Sequence, residues 1–325
     1  MKKIIAVMTG GTGAERSISL NSATVVCNHL SKDKYEVYKV FVDGFHWKVE
    51  KDDRLLGEVD KNDFSFFEEG SKKKFDAAFV AIHGTPAEDG KLMGYFDLLQ
   101  IPYNCCSVAT AALTFDKNRT KEYLSAFGVL SPAAILGTKV NRPQLEDQIT
   151  STLQFPIFIK PNKNGSSYGA SKVNSPGEVA KAVELAFEYD DEILAEEYIA
   201  GTEVTCGCIC LNGKTTVLPI TEIRSKKGFF DFEAKYQGAS QEITPAEIDA
   251  AMTAAIQKTV GFIYDKLDFK GMCRIDFIIS NGKYYMLEVN SIPGISAESI
   301  VPQQAKVFGL SLSELFEATL QPLFN

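Results

Sequence analysis

This chain lacks the marks of several common protein classes, and each absence narrows what it can do. No apolar run approaches the roughly 20 residues that span a bilayer, so no membrane role is expected. Positive charge is in deficit: the net charge is −8, whereas general nucleic-acid binding needs a basic surface. The seven cysteines show no metal-ligand spacing. Cys206, Cys208 and Cys210 alternate along a strand-like run, which puts their thiols on one face. No histidine or second cysteine cluster stands nearby, so they are expected to pack as small core residues. Cys105 and Cys106 are adjacent and are not expected to pair, and nothing calls for an oxidising compartment. A Gly-Lys-Ser/Thr phosphate loop is missing. The opening MKKIIAVMTGG stops its apolar run at Met8 without a small-residue cleavage site. It reads as a first buried strand rather than a signal peptide, and the expected location is the cytoplasm.

What is present is a globular α/β composition. With 325 residues, 45% of them hydrophobic, two or three domains are expected. Lys3–Thr9, Tyr35–Val42 and Phe75–Ile82 read as strands, with helical spacing at Ile18, Ala23, Val26 and Leu30, and again over Lys91–Gln100. This alternation predicts a parallel sheet. Ser107–Phe127 is helix-forming, and Phe155–Lys160 and Glu192–Ile199 read as strands. Ser175 to Glu178 predicts a capping box, and Thr244 to Glu247 a cap for a helix reaching about Leu267. Asn212-Gly213 predicts a tight turn between Val204–Leu211 and Lys214–Ile220. The aperiodic stretch Ser225–Glu242 is long for a connection and is expected to be a functional loop.

Chemistry-bearing residues recur beside these elements. Gly10 to Arg16, GGTGAER, reads equally as a tight βα turn or as an anion-binding loop. Arg16 stands where a dinucleotide fingerprint needs a small residue. Lys160 ends a strand and precedes the glycine-flanked serines Gly165-Ser166-Ser167-Tyr168-Gly169, which alone read first as a glycine-rich surface turn and otherwise as donors suited to phosphates. Lys117 alone reads as a solvated helix charge. Glu196-Glu197 on a strand-like run point to a solvent edge or to a ligand's amino and hydroxyl groups. His83 ends a buried run at the carboxyl end of a strand, where open α/β sheets bind ligands; a buried, satisfied histidine is the alternative.

The most informative segment is Met272–Asn290, MCRIDFIISNGKYYMLEVN. Alternation puts Arg274 and Asp276 on one face of the first strand, and Glu288 and Asn290 on one face of the second. A two-residue turn pairing Ser280 with Lys283 would oppose Asp276 to Leu287 and part the acids. A three-residue connection, Asn281–Lys283, would oppose Asp276 to Glu288. We expect the three-residue form, because facing carboxylates make sense around a cation such as magnesium. A salt-bridge cluster around Arg274 is the structural alternative.

These pieces, in this order, resemble the D-alanine–D-alanine ligases of the ATP-grasp superfamily. The resemblance rests on Gly10–Ser22, His83–Gly90, Phe115–Lys121, Ile159–Gly169, Phe229–Tyr236, Cys273–Phe277 and Leu287–Pro302. It implies an α/β, ATP-grasp fold: an N-terminal parallel-sheet domain (1–106), a central domain (107–200) and a C-terminal domain (201–325), the last two enclosing ATP. The lid loop would span 225–242. The resemblance implies ATP-driven ligation of two D-alanine molecules through a D-alanyl phosphate, for peptidoglycan synthesis, by a cytoplasmic homodimer. It also implies that Lys117 and Lys160 contact ATP phosphates, with Ser166 and Ser167 in the loop above them. Glu196, Glu197 and Ile199 would border adenine, and Glu203 would hold the ribose. Asp276, Glu288 and Asn290 would bind two magnesium ions, with manganese an alternative. Glu15 and His83 would hold the first D-alanine, and Ser299 and Ile300 the second. Ser166 and Tyr236 would link to Glu15, Lys235 would contact the transferred phosphate, and Arg274 and Gly294 would form the oxyanion site. Gly13, Ala87, Glu197 and Ser291-Ile292 depart from the usual family residues without removing a metal ligand, phosphate lysine or oxyanion arginine. A depsipeptide-forming relative, which joins D-alanine to D-lactate, is the nearest rival. A nucleotide-binding module without catalysis is the other.

Overall fold

The first strand follows from its composition. β1 (Lys3–Gly10) is apolar along most of its length and is buried from Ile5 onward. Its alternate residues feed two different cores, Ala6 and Met8 one, Ile5 and Val7 the other. The structure, a computed structural model, describes residues 2–13, 15–225 and 240–324. α1 (Arg16–His29) returns the chain to β2 (Tyr35–Asp43), which pairs with β1 in parallel. Gly10 closes β1 with φ +95°, and a Cβ there would lie 2.5 Å from the Val42 carbonyl oxygen. Only glycine lets the chain turn away so close to β2.

The next segment departs from the expected alternation of strand and helix. β3 (His46–Lys51) and β4 (Arg54–Glu58) extend the sheet antiparallel, and β5 (Ser65–Glu68) and β6 (Ser71–Lys74) form a separate hairpin. β7 (Ala77–Val80) then pairs in parallel on the far side of β1, giving the order β4-β3-β2-β1-β7. α2 (Lys91–Leu99) follows. α3 (Val108–Phe115) is capped by Ser107, and α4 (Lys117–Ser125) by Asp116, whose carboxylate accepts the Arg119 N–H at 3.0 Å. Asp116 therefore divides the expected Ser107–Phe127 helix in two.

A second sheet has the order β10-β9-β11-β8. It comprises β8 (Ala134–Thr138), β9 (Ile157–Pro161), β10 (Ser171–Val173) and β11 (Glu192–Glu197), with α5 (Arg142–Thr152) and α6 (Val179–Phe187) supporting it. Ser175 caps no backbone N–H; its hydroxyl donates to Glu178 at 3.0 Å, and a short 3-10 turn at Pro176–Glu178 precedes α6.

The third sheet joins β12 (Thr202–Leu211), β13 (Lys214–Ser225), β14 (Ser240–Ile243), β15 (Met272–Ser280) and β16 (Lys283–Asn290) in the order β14-β13-β12-β15-β16. The Asn212-Gly213 turn is as expected, with φ of +52° and +74°. Cys206 and Cys208 are fully buried and Cys210 packs against the same core. α7 (Ala250–Lys266) begins later than the sequence suggests. Its cap is Asp249, which accepts the Met252 N–H at 2.9 Å, rather than the Thr244 segment. α8 (Ile300–Phe308) and α9 (Leu312–Leu320) complete the chain.

The cores show how the sheets are joined. The first and third sheets share two apolar clusters, which also take in Leu124 of α4. The second sheet has its own cluster, built around Leu145, Ile157, Ile159, Val183 and Ile193. One close approach ties the shared core: Gly271 has φ +73°, and a Cβ there would lie 2.0 Å from the Asn104 carbonyl oxygen. Gly271→Ala is therefore expected to lower stability by more than about 2 kcal/mol, measured by urea denaturation. A change within about 0.5 kcal/mol would contradict that close approach.

Candidate functional site

A cavity of about 400 Å³ opens between the second and third sheets. Its walls mix apolar side chains, Ile199, Ile278 and Leu287, with Lys117, Lys160, Glu203, Asp276 and Glu288. Such a lining suits a flat apolar group carrying a charged tail. Ser166 and Ser167, both at positive φ, and Glu196 and Glu197 border it as well.

The β15–β16 hairpin enters this cavity by a route the sequence reading did not foresee. Ser280 pairs with Lys283, so the turn is the two-residue Asn281-Gly282 form, with φ of +50° and +73°. The three-residue connection is thus incorrect. Asp276 nevertheless opposes Glu288, because the register shifts between Asp276 and Phe277. Phe277 pairs with Met286, leaving Leu287 as the extra residue of a β-bulge. The bulge, not the turn, supplies the odd residue that brings the two acids together.

Asp276 is 7% exposed and heavily compensated. Arg274 grips it through Nε and Nη2, each at 2.8 Å, and the Thr205 hydroxyl donates at 2.5 Å. The Asn290 amide nitrogen donates to it at 3.1 Å, which leaves the amide oxygen for a ligand. Lys117 lies 3.6 Å from Glu288 and donates to the Asn164 carbonyl oxygen at 2.6 Å. It is buried at the start of α4, not a solvated helix charge.

A second charged group sits behind the cavity. Glu196 is buried and accepts from Lys121 through one oxygen and from Lys160, at 2.9 Å, through the other. Burial alone would raise the Glu196 pKa, but the two ammonium groups hold it below the usual carboxylate range. Burial alone would lower Lys160, yet Glu196 and Glu288 keep it above its ordinary value. Glu197 accepts the Ala133 N–H at 2.9 Å.

At the inner end, Ser166 donates to Glu15 at 2.5 Å. The Glu15 carboxylate fits there because two neighbours lack side chains. A Cβ on Gly165 would lie 2.4 Å from its Oε2, and one on Gly84 3.4 Å. His83 is buried and fully engaged: Nδ1 lies 3.0 Å from the Ile292 carbonyl oxygen and Nε2 2.9 Å from the Ser22 hydroxyl. Burial holds the imidazole below its usual pKa despite nearby Glu15. In the neutral ring Nδ1 donates to the carbonyl, so Nε2 accepts from Ser22. Glu88 accepts the Gly84 N–H at 2.9 Å, and burial together with the Glu15 charge pushes its carboxyl up to about 8. Beyond His83, Gly294 stands against Ser299, whose hydroxyl a Cβ on Gly294 would approach to 2.8 Å. Ser299 precedes α8, and Ile300 is buried at its start. Lys235 and Tyr236, and most of the 225–242 loop, lie outside the described residues.

Several participants escaped the sequence reading. Lys121 follows Lys117 by four residues on α4, a spacing that marks one helix face. Ser22 and Glu88 lie inside the segments Gly10–Ser22 and His83–Gly90, but the resemblance gives them no role there; Thr205 lies outside every such segment, and only their partners reveal them.

Comparison with known proteins gives a consistent picture. The family model "D-ala D-ala ligase N-terminus" matches residues 4–106, and "D-ala D-ala ligase C-terminus" matches residues 129–321. The chain is 41% identical to a D-alanine--D-alanine ligase of Phocaeicola vulgatus over 325 residues, covering 100% of both chains. It is 43% identical to one from Parabacteroides distasonis, covering 97% of this chain and 96% of that one. Among solved structures, the VanG D-Ala:D-Ser ligase of Enterococcus faecalis superposes with a TM-score of 0.87 at 31% identity, covering 99% of this chain and 100% of that one. A D-alanine--D-alanine ligase of Bacillus anthracis complexed with ATP gives a TM-score of 0.76 at 28% identity, covering 99% and 98%.

The Glu15 seat makes a direct prediction. Gly165→Ala should break the Ser166–Glu15 bond and cost about 1–3 kcal/mol of unfolding free energy. Because Ser166→Ala removes the same bond, the double variant should be less destabilised than the sum of the two. Strict additivity in chemical denaturation would show that Gly165 does not act through this contact.

Proposed function

The chain belongs to the D-alanine–D-alanine ligase family and is an ATP-dependent ligase of ATP-grasp fold, and from that premise we propose which residues carry each step. Its product, D-alanyl-D-alanine, serves peptidoglycan synthesis. The observation that carries the assignment is the convergence of Lys117, Lys160, Asp276 and Glu288 on one cavity, with Arg274 fixed on Asp276.

Glu15 binds the ammonium group of the first D-alanine, and His83, neutral and held by Ser22 and Ile292, stands by its carboxylate. That carboxylate attacks the γ-phosphorus of ATP, ADP leaves, and D-alanyl phosphate forms. Lys117 and Lys160 offset the phosphate charge as it shifts toward ADP. Ile199, Ile278 and Leu287 offer apolar surface to adenine, and Glu203 an acceptor to the ribose. The second D-alanine, its carboxylate held near Ser299 and Ile300, attacks the acyl carbon through its amine. Arg274 and the Gly294 N–H stabilise the tetrahedral oxyanion before phosphate leaves. The fork that pins Arg274 to Asp276 also orients it, so little rearrangement opposes the second step.

Two carboxylates and one amide oxygen are the hard-oxygen donors magnesium takes, provided Asp276 exchanges one of its four present N–H and O–H donors for the ion. Asp276, Glu288 and Asn290 would hold it. When bound, two such ions, or manganese, would neutralise the phosphates and orient the transferred group. Dependence on ATP argues for a cytoplasmic enzyme, no described helix is long and apolar enough to cross a membrane, and the resemblance supports a homodimer. We divide the chain near residues 106 and 200, which puts the second sheet with its own apolar cluster in the central part.

Relatives divide over the second substrate, as the D-Ala:D-Ser ligase among the structural matches illustrates. D-alanine-dependent phosphate release from ATP is expected, with D-alanyl-D-alanine the main product when D-serine and D-lactate compete. A dominant depsipeptide or D-alanyl-D-serine at neutral pH would overturn this reading. Arg274→Ala should reduce kcat by roughly 10²-fold or more while ATP binding is largely retained. Parallel loss of both would contradict the oxyanion role.

A further inference from the structure

Lys121 has no part in the steps above, yet it is a buried cation paired with a buried carboxylate. It is 5% exposed on α4, one turn beyond Lys117, and its ammonium group contacts Glu196. Lys160 takes the other oxygen of the same carboxylate at 2.9 Å. Lys160 and Glu196 border the cavity, whereas Lys121 does not. One buried carboxylate is thus shared by two ammonium groups, one facing the ligand and one behind it.

The charge balance decides what this arrangement does. A lone Lys160–Glu196 pair would be neutral, and Glu196 would hold the Lys160 charge to itself. With Lys121 present the three groups carry one net positive charge, and Lys160 is the member beside the cavity. We propose that Lys121 is a positioning residue for the nucleotide triphosphate: it neutralises Glu196 from behind and so frees the charge of Lys160 for the phosphates. The inference rests on the ATP site proposed above. A buried cation is costly, and such groups persist where paired. Here the pairing turns a second lysine into field strength at the first.

The environment gives this device a pH range. Burial pushes the Lys121 ammonium down to about 8 against the pull of Glu196, with the Lys160 charge adding to the fall. The other charged groups acting on this cluster are Glu288 of β16 and, through Lys160, Glu203 of β12; Lys117 lies on the same helix. Lys160 is held above its ordinary value and stays charged. Below pH ~8 Lys121 is protonated and the net charge is present; above it the group is neutral and the extra charge is lost. Glu88, whose carboxyl also sits at about 8, loses its proton in the same window, so ATP affinity should fall between pH 7 and pH 9 and the Lys121 share is the part that a permanently charged side chain at 121 removes.

The test is calorimetric titration of the full-length wild-type, Lys121→Met and Lys121→Arg proteins with ATP at pH 7 and pH 9. Adenosine is titrated in parallel, and thermal unfolding checks each variant. Lys121→Met should bind ATP about tenfold more weakly at pH 7, with adenosine affinity unchanged. Lys121→Arg, charged throughout, should keep the wild-type affinity at pH 7 and show a clearly smaller decline toward pH 9. Wild-type ATP affinity in Lys121→Met at both pH values would overturn the inference alone. Equal loss of ATP and adenosine would overturn it in favour of simple support of the pocket wall. If the methionine variant does not fold, the arginine variant decides: a decline toward pH 9 like that of the wild type counts against the proposal. A wild-type protein that binds no ATP would remove the ATP-site reading and this inference together.

Discussion

Two carboxylates held opposite each other on adjacent strands repel, and the candidate site is arranged around that repulsion. Asp276 faces Glu288 across the β15–β16 ladder. Arg274, Thr205 and Asn290 surround the first with donors, and Lys117 approaches the second. Asp276, Glu288 and Lys117 line the candidate cavity, with Arg274, Thr205 and Asn290 holding Asp276 in place. Glu196 repeats the logic in reverse, one carboxylate between two lysines. The interior thus carries alternating charges whose local sums, rather than individual signs, set the field in the cavity.

The cavity lies along a boundary between separate cores. The second sheet packs on its own apolar cluster, while the first and third share theirs. Contacts that cross this boundary near the site are polar: Ser166 to Glu15, and Lys117 of α4 to the Asn164 carbonyl. Bodies joined by polar contacts shift more readily than bodies joined by a continuous core. A substrate replacing or adding to those contacts would act where the protein's own cohesion is weakest.

Much of this was legible in the chain. Apolar runs located β1 and β7, Asn-Gly pairs located two hairpin turns, and alternation correctly put Arg274 with Asp276 and Glu288 with Asn290. The β3–β6 segment was missed because its strands are short and partly exposed, so periodicity had little length in which to show. Thr244-Pro245 looked like a helix start, but Asp249 won because its carboxylate reaches the Met252 N–H. The bulge was invisible for a different reason. An extra residue in a strand leaves no compositional mark when it is itself apolar, as Leu287 is. The physical requirement that the acids meet was sound, and only the means of meeting it was misread. Lys121 was visible as a charge but not as a buried one, because burial of an ion depends on partners far apart in sequence.

The bulge at Leu287 has a consequence for how this enzyme can vary. The bulge and the two-residue turn together set the phase of the ladder, so the strand pair between them acts as a spacer as long as its two sides change together. Ile278 and Ile279 are still tied to Glu203 and Thr202 of β12, but beyond them the tip around Asn281-Gly282 can gain or lose paired residues without inverting which faces meet at Asp276 and Glu288. The reacting end of the hairpin is insulated from its tip. Evolution or a designer could rebuild the tip, extend it toward a partner, or hang a new loop from it, and the arithmetic of the active end would stay the same.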